Sequence, residues 1–124
     1  MILKTFNISL SIDHFQKSLI DTGITMVEDD ILVYKLLVAI YDQRTQIDLS
    51  TAISSAKFVF NKSDGNYAVS TATIEATGSL SLVVSTGIID FAGILLGECR
   101  LYNASGARIT TNQFKMNVID DLDD

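Results

Sequence analysis

The side chains that most often act as nucleophiles, bases or soft metal ligands are scarce in this sequence, which has one histidine, His14, and one cysteine, Cys99. His14 lies in the least regular segment of the chain, and no G-x-S-x-G motif accompanies it, so we expect a surface or loop histidine. Cys99 lies in an apolar run and has no second cysteine for an internal disulfide, so we expect a small buried hydrophobic side chain. One cysteine and one histidine are too few ligands for a zinc site.

Carboxylates form two clusters that could be read as calcium ligands, Glu28-Asp29-Asp30 and Asp120–Asp124. Calcium-binding loops place oxygen ligands at alternate positions around a glycine, and neither cluster has that spacing. We therefore expect the first cluster to be a solvated turn and the second to be an acidic tail. A pair of distant carboxylates for glycoside hydrolysis stays an open alternative, although the chain has no tryptophan to stack on a sugar ring.

The glycines do not form a phosphate-binding loop. Such a loop needs a G-x-G-x-x-G or P-loop pattern, in which backbone N–H groups surround the anion. The later glycines are isolated instead, at Gly78, Gly87, Gly93, Gly97 and Gly106. Because the sequence has no nucleophile, metal-ligand or phosphate pattern, it predicts a protein that is not an enzyme and holds no cofactor and no metal.

The apolar pattern of the chain is typical of β-strands. From Lys4 to Ile12 apolar and polar residues alternate, which predicts a half-buried antiparallel strand. Similar short segments follow, with turn residues roughly every 8–12 residues, and they predict an all-β fold, an antiparallel Ig-like β-sandwich of about seven to nine strands. We expect a single domain over residues 1–124, with an N-terminal strand and crossing segment in 1–29, the sandwich in 30–119 and the acidic tail in 120–124.

Four residues mark the predicted turns. Asp64-Gly65 supplies the positive φ that a tight hairpin requires, and it is the clearest turn in the chain. We expect Gly93 to end a one-turn helical corner and Gly106 to close a hairpin. A further helical turn capped by Ser50 stays an open alternative, because that segment is too short for a stable helix on its own.

Charge and hydropathy narrow the class of partner. The chain has 124 residues with 9 Lys+Arg against 15 Asp+Glu, a formal net charge of -6. It lacks a basic patch with interleaved aromatic residues, so we expect no binding to nucleic acid or to an anionic membrane surface. The apolar runs are too short to span a bilayer and the N-terminus lacks the pattern of a secretory signal, so we expect a soluble protein that is made inside the cell.

The segment Ile31–Tyr41 is strongly apolar and has two apolar faces. A strand of this kind is either covered on both sides or meets another subunit on one side. No convincing helix is available to cover an outer face, and the apolar fraction of 48% is high for a small domain. We therefore expect homo-oligomer contacts through Val33, Leu37 and Tyr41.

Several segments also follow one another in a recognisable order. They are Asp30–Tyr41, Ile47–Ser50, Ala56–Phe60, Ser63–Gly65, Gly78–Leu82, the Gly93 corner with Gly97–Tyr102, and Arg108–Phe114. In this order the chain resembles the N-terminal domain of the upper baseplate proteins of long-tailed phages and prophages of Gram-positive bacteria. Each segment alone is common, whereas the ordered set is more specific and covers about residues 30–119.

The resemblance implies a structural part of a virion. Such domains lie at the root of a baseplate arm, are typically trimeric, and attach receptor-binding parts to the tail's central hub through protein–protein contacts. The family has no catalytic motif to carry over. It implies other baseplate or tail proteins as partners, a trimer as the favoured homo-oligomer, and synthesis in the host cytoplasm before incorporation into the tail baseplate. Because family members usually continue beyond this point, a fragment and a short protein with a separate partner chain both stay open.

Two other functions stay open from the sequence alone. A carbohydrate-binding module that recognises host cell-wall sugar would need aromatic platforms, for which the candidates are Tyr34, Tyr41, Tyr67 and Tyr102. The missing tryptophan and the position of the tyrosines within strands count against this alternative. A bacterial surface Ig-like spacer is the second alternative, and the missing export signal counts against it.

Overall fold

Two β-sheets pack face to face around a shared hydrophobic core. The computed structural model describes Ile2 and residues 4–12, 19–31 and 33–120. The strands are β1 (Lys4–Ser11), β2 (Ile20–Val27), β3 (Tyr34–Asp42), β4 (Thr45–Gln46), β5 (Ser55–Asn61), β6 (Tyr67–Thr71), β7 (Thr73–Ile74), β8 (Leu80–Val83), β9 (Gly93–Tyr102), β10 (Arg108–Thr110) and β11 (Phe114–Ile119). One short helix, α1 (Leu49–Ala52), lies between β4 and β5. The predicted all-β sandwich is confirmed.

The two sheets are mixed rather than purely antiparallel. The first, called the β3 sheet, has the order β1-β3-β8-β7 with β4 paired to β3, and the second, called the β9 sheet, has the order β2-β11-β9-β5-β6 with β10 paired to β9. β1 is parallel to β3, and β2 is parallel to β11. The antiparallel prediction is therefore wrong for these two pairs. Alternation shows which face of a strand is buried, but it does not show the direction of the neighbouring strand.

β3 is a central strand, with β1 on one side and β8 on the other. Its inward side chains, Tyr34, Leu36, Val38 and Ile40, are all buried. The intervening side chains lie on the outer face of the β3 sheet and are half-buried, namely Lys35, Leu37, Ala39 and Tyr41. The two apolar faces of this segment thus have different surroundings, one in the core and one at the surface.

Three phenylalanines form the centre of the core under the β9 sheet. Phe58 and Phe60 of β5 stack with ring centroids 6.0 Å apart, and Phe114 of β11 packs edge-on against them at 6.5 and 6.1 Å. Gly97 of β9 pairs with both Phe60 and Phe114. A Cβ at Gly97 would lie 2.5 Å from the Phe114 ring, so the glycine leaves the space that this ring occupies.

Two segments whose residue types each predict one strand, Tyr67–Glu75 and Arg108–Ile119, are divided in the structure. The return strand predicted from Tyr67 ends as β6 at Thr71, and after Ala72 the chain enters β7 in the opposite sheet. The final strand is divided into β10 and β11 by residues 111–113. Asn112 in this break connects the two sheets through Ser11 of β1. Its side-chain Oδ1 accepts from the backbone N–H of Ser11 at 3.0 Å, and its backbone N–H donates to Ser11 O at 3.1 Å.

The short helix and the predicted helical corner also differ from expectation. Asp48, rather than Ser50, caps α1, because the carboxylate precedes the first helical residue and accepts from both Ser50 N and Ser50 Oγ. The corner before Gly93 consists of tight turns, in which Ile88 N donates to Ser85 O at 3.1 Å. Gly93 begins β9 instead of ending a helix. Within the described residues, no helix has the length and hydropathy of a membrane span.

Candidate interaction surfaces

Cys99 does not form a reactive site in the described part of the protein. Its side chain is buried on the inner face of β9, and its backbone N–H donates to Thr111 Oγ1 at 3.0 Å. Burial, with a smaller contribution from nearby Glu98, raises the pKa of the Cys99 thiol well above its usual value. The thiol therefore stays protonated and weakly nucleophilic. His14 and residues 121–124 lie outside the described residues.

The acidic turn between β2 and β3 uses its carboxylates to hold backbone and core groups. Glu28 Oε2 accepts from Ala92 N at 3.0 Å. The hydroxyl of Tyr34 donates to Asp30 Oδ2 at 2.5 Å and accepts from Val27 N at 3.1 Å. Over residues 4–12, 19–31 and 33–120, no group of three or more His, Cys, Asp or Glu residues could hold a metal ion. The hydrogen bonds of Glu28 and Asp30 therefore stabilise this turn against the rest of the fold.

Two grooves beside the described strands of the β9 sheet are small. One of about 160 Å³ lies on the outer face of the β9 sheet, with Tyr67, Glu98 and Arg100 among its walls. Another of about 280 Å³ lies at the β9–β10 hairpin, with Lys57 and Tyr102 among its walls. Small-molecule sites usually enclose roughly 300–1,000 Å³. Both grooves are below that range.

The outer face of the β3 sheet carries two of the three residues predicted as contacts. Leu37 and Tyr41 are half-buried there, and the neighbouring β1 residues in register are Asn7 and Ser11. Val33 precedes β3 and packs against the hydrophobic core. The structure thus brings Leu37 and Tyr41 to one surface, an apolar stripe beside uncharged polar residues, and gives Val33 a separate packing role.

The outer face of the β9 sheet carries a more exposed apolar patch, which the sequence analysis missed. Tyr67 is 70% exposed and Val69 is 60% exposed on β6, and Ile94 of β9 is 50% exposed. Val69 pairs with Val59 of β5, so the apolar surface extends from the edge strand β6 onto the neighbouring strand. The available signal was the alternation in Tyr67–Thr71, but alternation alone does not tell which strand lies at an open edge.

The tyrosines proposed as sugar platforms do not assemble. Tyr34 is only 7% exposed and belongs to the core. Tyr41 lies on the β3 sheet, whereas Tyr67 and Tyr102 lie on the β9 sheet. Tyr67 pairs with Asn61 and Tyr102 with Ser55, so along β5 they are separated by roughly 20 Å. The four tyrosines thus do not form one shared platform for a sugar ring.

The predicted turn residues have the following places. Gly65 (φ 88°) and Gly106 (φ 86°) adopt positive φ in the β5–β6 and β9–β10 hairpins. Asp64 Oδ1 accepts from Asn66 N at 2.9 Å, and this bond lowers the pKa of the Asp64 carboxyl. Gly93 has φ 134°, and a Cβ there would lie 2.5 Å from Ser63 Oγ. Asp64, Gly65 and Gly106 thus act in chain reversal, and Gly93 allows a close approach to Ser63.

The described strands define a β-sandwich module with apolar residues on the outer faces of both sheets. The chain belongs to the BppU N-terminal domain family, whose sequence model matches residues 4–124. The resemblance to the N-terminal domains of phage and prophage upper baseplate proteins is thereby confirmed. The match begins at the first residue of β1, so it also includes β1 and β2, which the resemblance over residues 30–119 left out. The chain is accordingly a structural domain of the phage baseplate class.

Solved structures agree with this fold. The chain is similar to the N-terminal domain of phage TP901-1 ORF48, with a TM-score of 0.68 and 11% sequence identity over 93% of this chain and 98% of that chain. CopC from Methylosinus trichosporium OB3b matches with a TM-score of 0.44 and 14% identity over 81% of this chain and 88% of that chain, a likeness too low to inform on function. No curated protein is significantly similar to this chain.

Proposed function

We propose that this chain is a non-enzymatic component of a phage or prophage tail baseplate that anchors or assembles receptor-binding parts through protein–protein contacts. The observation that carries the proposal is the family match over residues 4–124, which includes every strand from β1 to β11. Apolar side chains exposed on both sheets support it, because protein contacts bury such patches. The chain would be made in the host cytoplasm and reside in the tail of the virion.

The proposed partners are other baseplate or tail proteins and further copies of this chain, with a trimer as the favoured state. The proposed contact surface is the outer face of the β3 sheet, centred on Leu37 and Tyr41. Its neighbours on β1, which include Asn7 and Ser11, carry no charge. Lys35 lies on the same face of β3, and its charge is partnered by Glu75 Oε1 at 3.8 Å. Val33 belongs to the same proposal, although it also packs against the core.

The test is a double substitution, Leu37→Asp with Tyr41→Asp, in the gene of the phage or prophage that encodes this chain. Two charges on the proposed contact face should reduce the amount of the chain in purified tails at least about tenfold, because an unpaired charge in an interface costs more than 1.4 kcal/mol. Quantitative immunoblotting of tail particles measures this amount. Val33 is left unchanged, since its core packing would mix a loss of contact with a loss of stability.

The matched control adds the same charge to the opposite sheet by Thr25→Asp with Ser55→Asp, at two exposed positions. It should leave the amount of chain in the tails unchanged. Thermal melts of both double variants check that each is folded. Normal incorporation of a folded Leu37→Asp, Tyr41→Asp chain would contradict the placement of the contact.

A further inference from the structure

We propose that β6 is a self-pairing edge. The β6 strands of two copies of this chain would pair antiparallel about a two-fold axis at Val69 and join two β9 sheets into one continuous sheet. This inference goes beyond the proposed function, which assigns its contacts to the β3 sheet and does not depend on this edge.

The first observation is the direction of the backbone groups of β6, the outermost strand of the β9 sheet. At its two ends Lys62 N donates to Asn66 O and Ala72 N donates to Ala56 O, both at 2.9 Å. Antiparallel ladders alternate, so the even-numbered residues between these bonds point their N–H and C=O groups toward β5. The groups that point outward, away from β5, are those of Tyr67, Val69 and Thr71.

The second observation is that β6 lacks the features that protect other edges. The β2 edge is interrupted at Gly23 (φ 68°) and by a register shift against β11. The β1 edge begins at Lys4 and is tied at Ser11 to Asn112. Charges, prolines and bulges are the usual means by which edges avoid pairing with other chains. β6 reads Tyr-Ala-Val-Ser-Thr and has none of them.

The third observation is self-complementarity. With Val69 of one copy opposite Val69 of the other, Tyr67 of each copy lies opposite Thr71 of its neighbour. In this register the outward backbone groups of these residues face one another as hydrogen-bonded pairs. Their side chains lie on the same outer face, so a valine meets a valine and an aromatic ring meets a β-branched side chain. Such cross-strand pairs are favourable in sheets.

Charge and area indicate a second copy and a weak contact. Each chain has a net charge of -6, so copies repel over most of their surface, whereas β6 contributes no charged side chain to the contact. An edge of 5 residues buries much less than the roughly 1,200–2,000 Å² of a stable complex. Pairing should therefore depend on concentration, and it should strengthen where an assembly holds several copies close together.

Cysteine cross-linking tests the register. Across the proposed pair the two Cα atoms of residue 69 lie about 5.5 Å apart, within the range of a disulfide. Since Cys99 is buried, Val69→Cys supplies an accessible thiol on the proposed axis. Under mild oxidation at high protein concentration, Val69→Cys should become mostly disulfide-linked dimer on a non-reducing gel.

Tyr67→Cys is the matched control, because residue 67 is on the same strand and similarly exposed. The two copies of residue 67 would lie roughly 14 Å apart in the proposed register, so this variant should give little dimer. A mixture of Tyr67→Cys with Thr71→Cys should restore a cross-linked pair. Equal cross-linking of Val69→Cys and Tyr67→Cys, or no cross-linking of Val69→Cys, would overturn the proposal.

Sedimentation velocity over a concentration series gives a second readout. Val69→Lys should weaken self-association at least tenfold, because it brings two like charges together on the axis. Thr25→Lys, at an exposed position on β2 at the far edge of the same sheet, should leave it unchanged. An unaltered association constant for Val69→Lys would overturn the proposal, and so would capture of a foreign strand at β6 by a chain that does not self-associate.

Discussion

Tyr34 connects β3 to the end of β2 through its hydroxyl group. That hydroxyl donates to Asp30 and accepts from Val27 N, and its ring packs near Phe6 with centroids 6.0 Å apart. Burial is the main reason that the pKa of Tyr34 is raised above its usual value of 10.0, and the bond to Asp30 adds to it. The fold therefore favours the neutral phenol.

Tyr34→Phe should lower the free energy of unfolding at pH 7 by about 1–2 kcal/mol, because Val27 N and Asp30 lose a partner. The wild type has a further pH dependence. Since the folded pKa is higher than the unfolded one, the stabilisation by neutral Tyr34 is complete below about pH 10 and is lost as pH rises through the folded pKa. Urea unfolding at pH 7 and at about pH 11 measures the free energy of unfolding of both proteins. The difference between wild type and Tyr34→Phe should be smaller at the higher pH.

The control for this substitution is Tyr67→Phe. Tyr67 is exposed, so removing its hydroxyl should leave both the stability and its pH dependence close to those of the wild type. A constant difference between wild type and Tyr34→Phe up to pH 11 would contradict the account of the Tyr34 hydroxyl.

At the scale of elements, β5, β9 and β11 are held together where Gly97 faces the phenylalanine rings. Gly97→Ala should destabilise the fold by about 1–3 kcal/mol, because its Cβ overlaps the Phe114 ring and the core must shift. Gly87→Ala is the matched control, since a Cβ at Gly87 meets nothing within 4 Å. Denaturant midpoints measure both effects.

A double substitution makes this test specific. Combined with Phe114→Leu, which removes the overlapping ring atoms, Gly97→Ala should cost clearly less than it costs alone. Additive losses in the two variants would show that the close approach of Gly97 to Phe114 is not the cause of the destabilisation.

The elements also show how far the sequence determines the fold. In β9 the alternation correctly predicts that Leu95, Cys99 and Leu101 face inward. The parallel neighbours of β1 and β2 could not be predicted, because pairing direction depends on contacts distant in sequence. The change of sheet at Ala72 could not be predicted from the sequence, because the residues on both sides of it favour strands.

Some residues of the candidate surfaces could also be predicted from the sequence, and others could not. Leu37 and Tyr41 could be found as outward residues of an apolar strand, since alternation determines the face. Val33 could not be separated from them, because it precedes β3 and its packing depends on the core. The importance of Tyr67 and Val69 follows from the position of β6 at an open edge, which is a property of the sheet order.

For the whole molecule, family membership and surface chemistry agree on assembly. The family match covers residues 4–124, and the outer faces of both sheets carry apolar residues. Under the two proposals, the β3 sheet contacts baseplate partners and the other copies of a trimer, and the β6 edge pairs with one further copy. Because these surfaces lie on different sheets, both contacts can form in one particle, and each weak contact strengthens the other.

The most direct test of the central claim is the position of this chain in assembled tails. A short epitope tag after the last residue, in the phage or prophage that encodes the chain, allows immunogold electron microscopy of purified tails. The account predicts gold at the baseplate end of the tail, and no gold on untagged tails processed in the same way. Purified tails that lack the tagged chain, or that carry it along the tube or at the head-proximal end, would contradict a baseplate role.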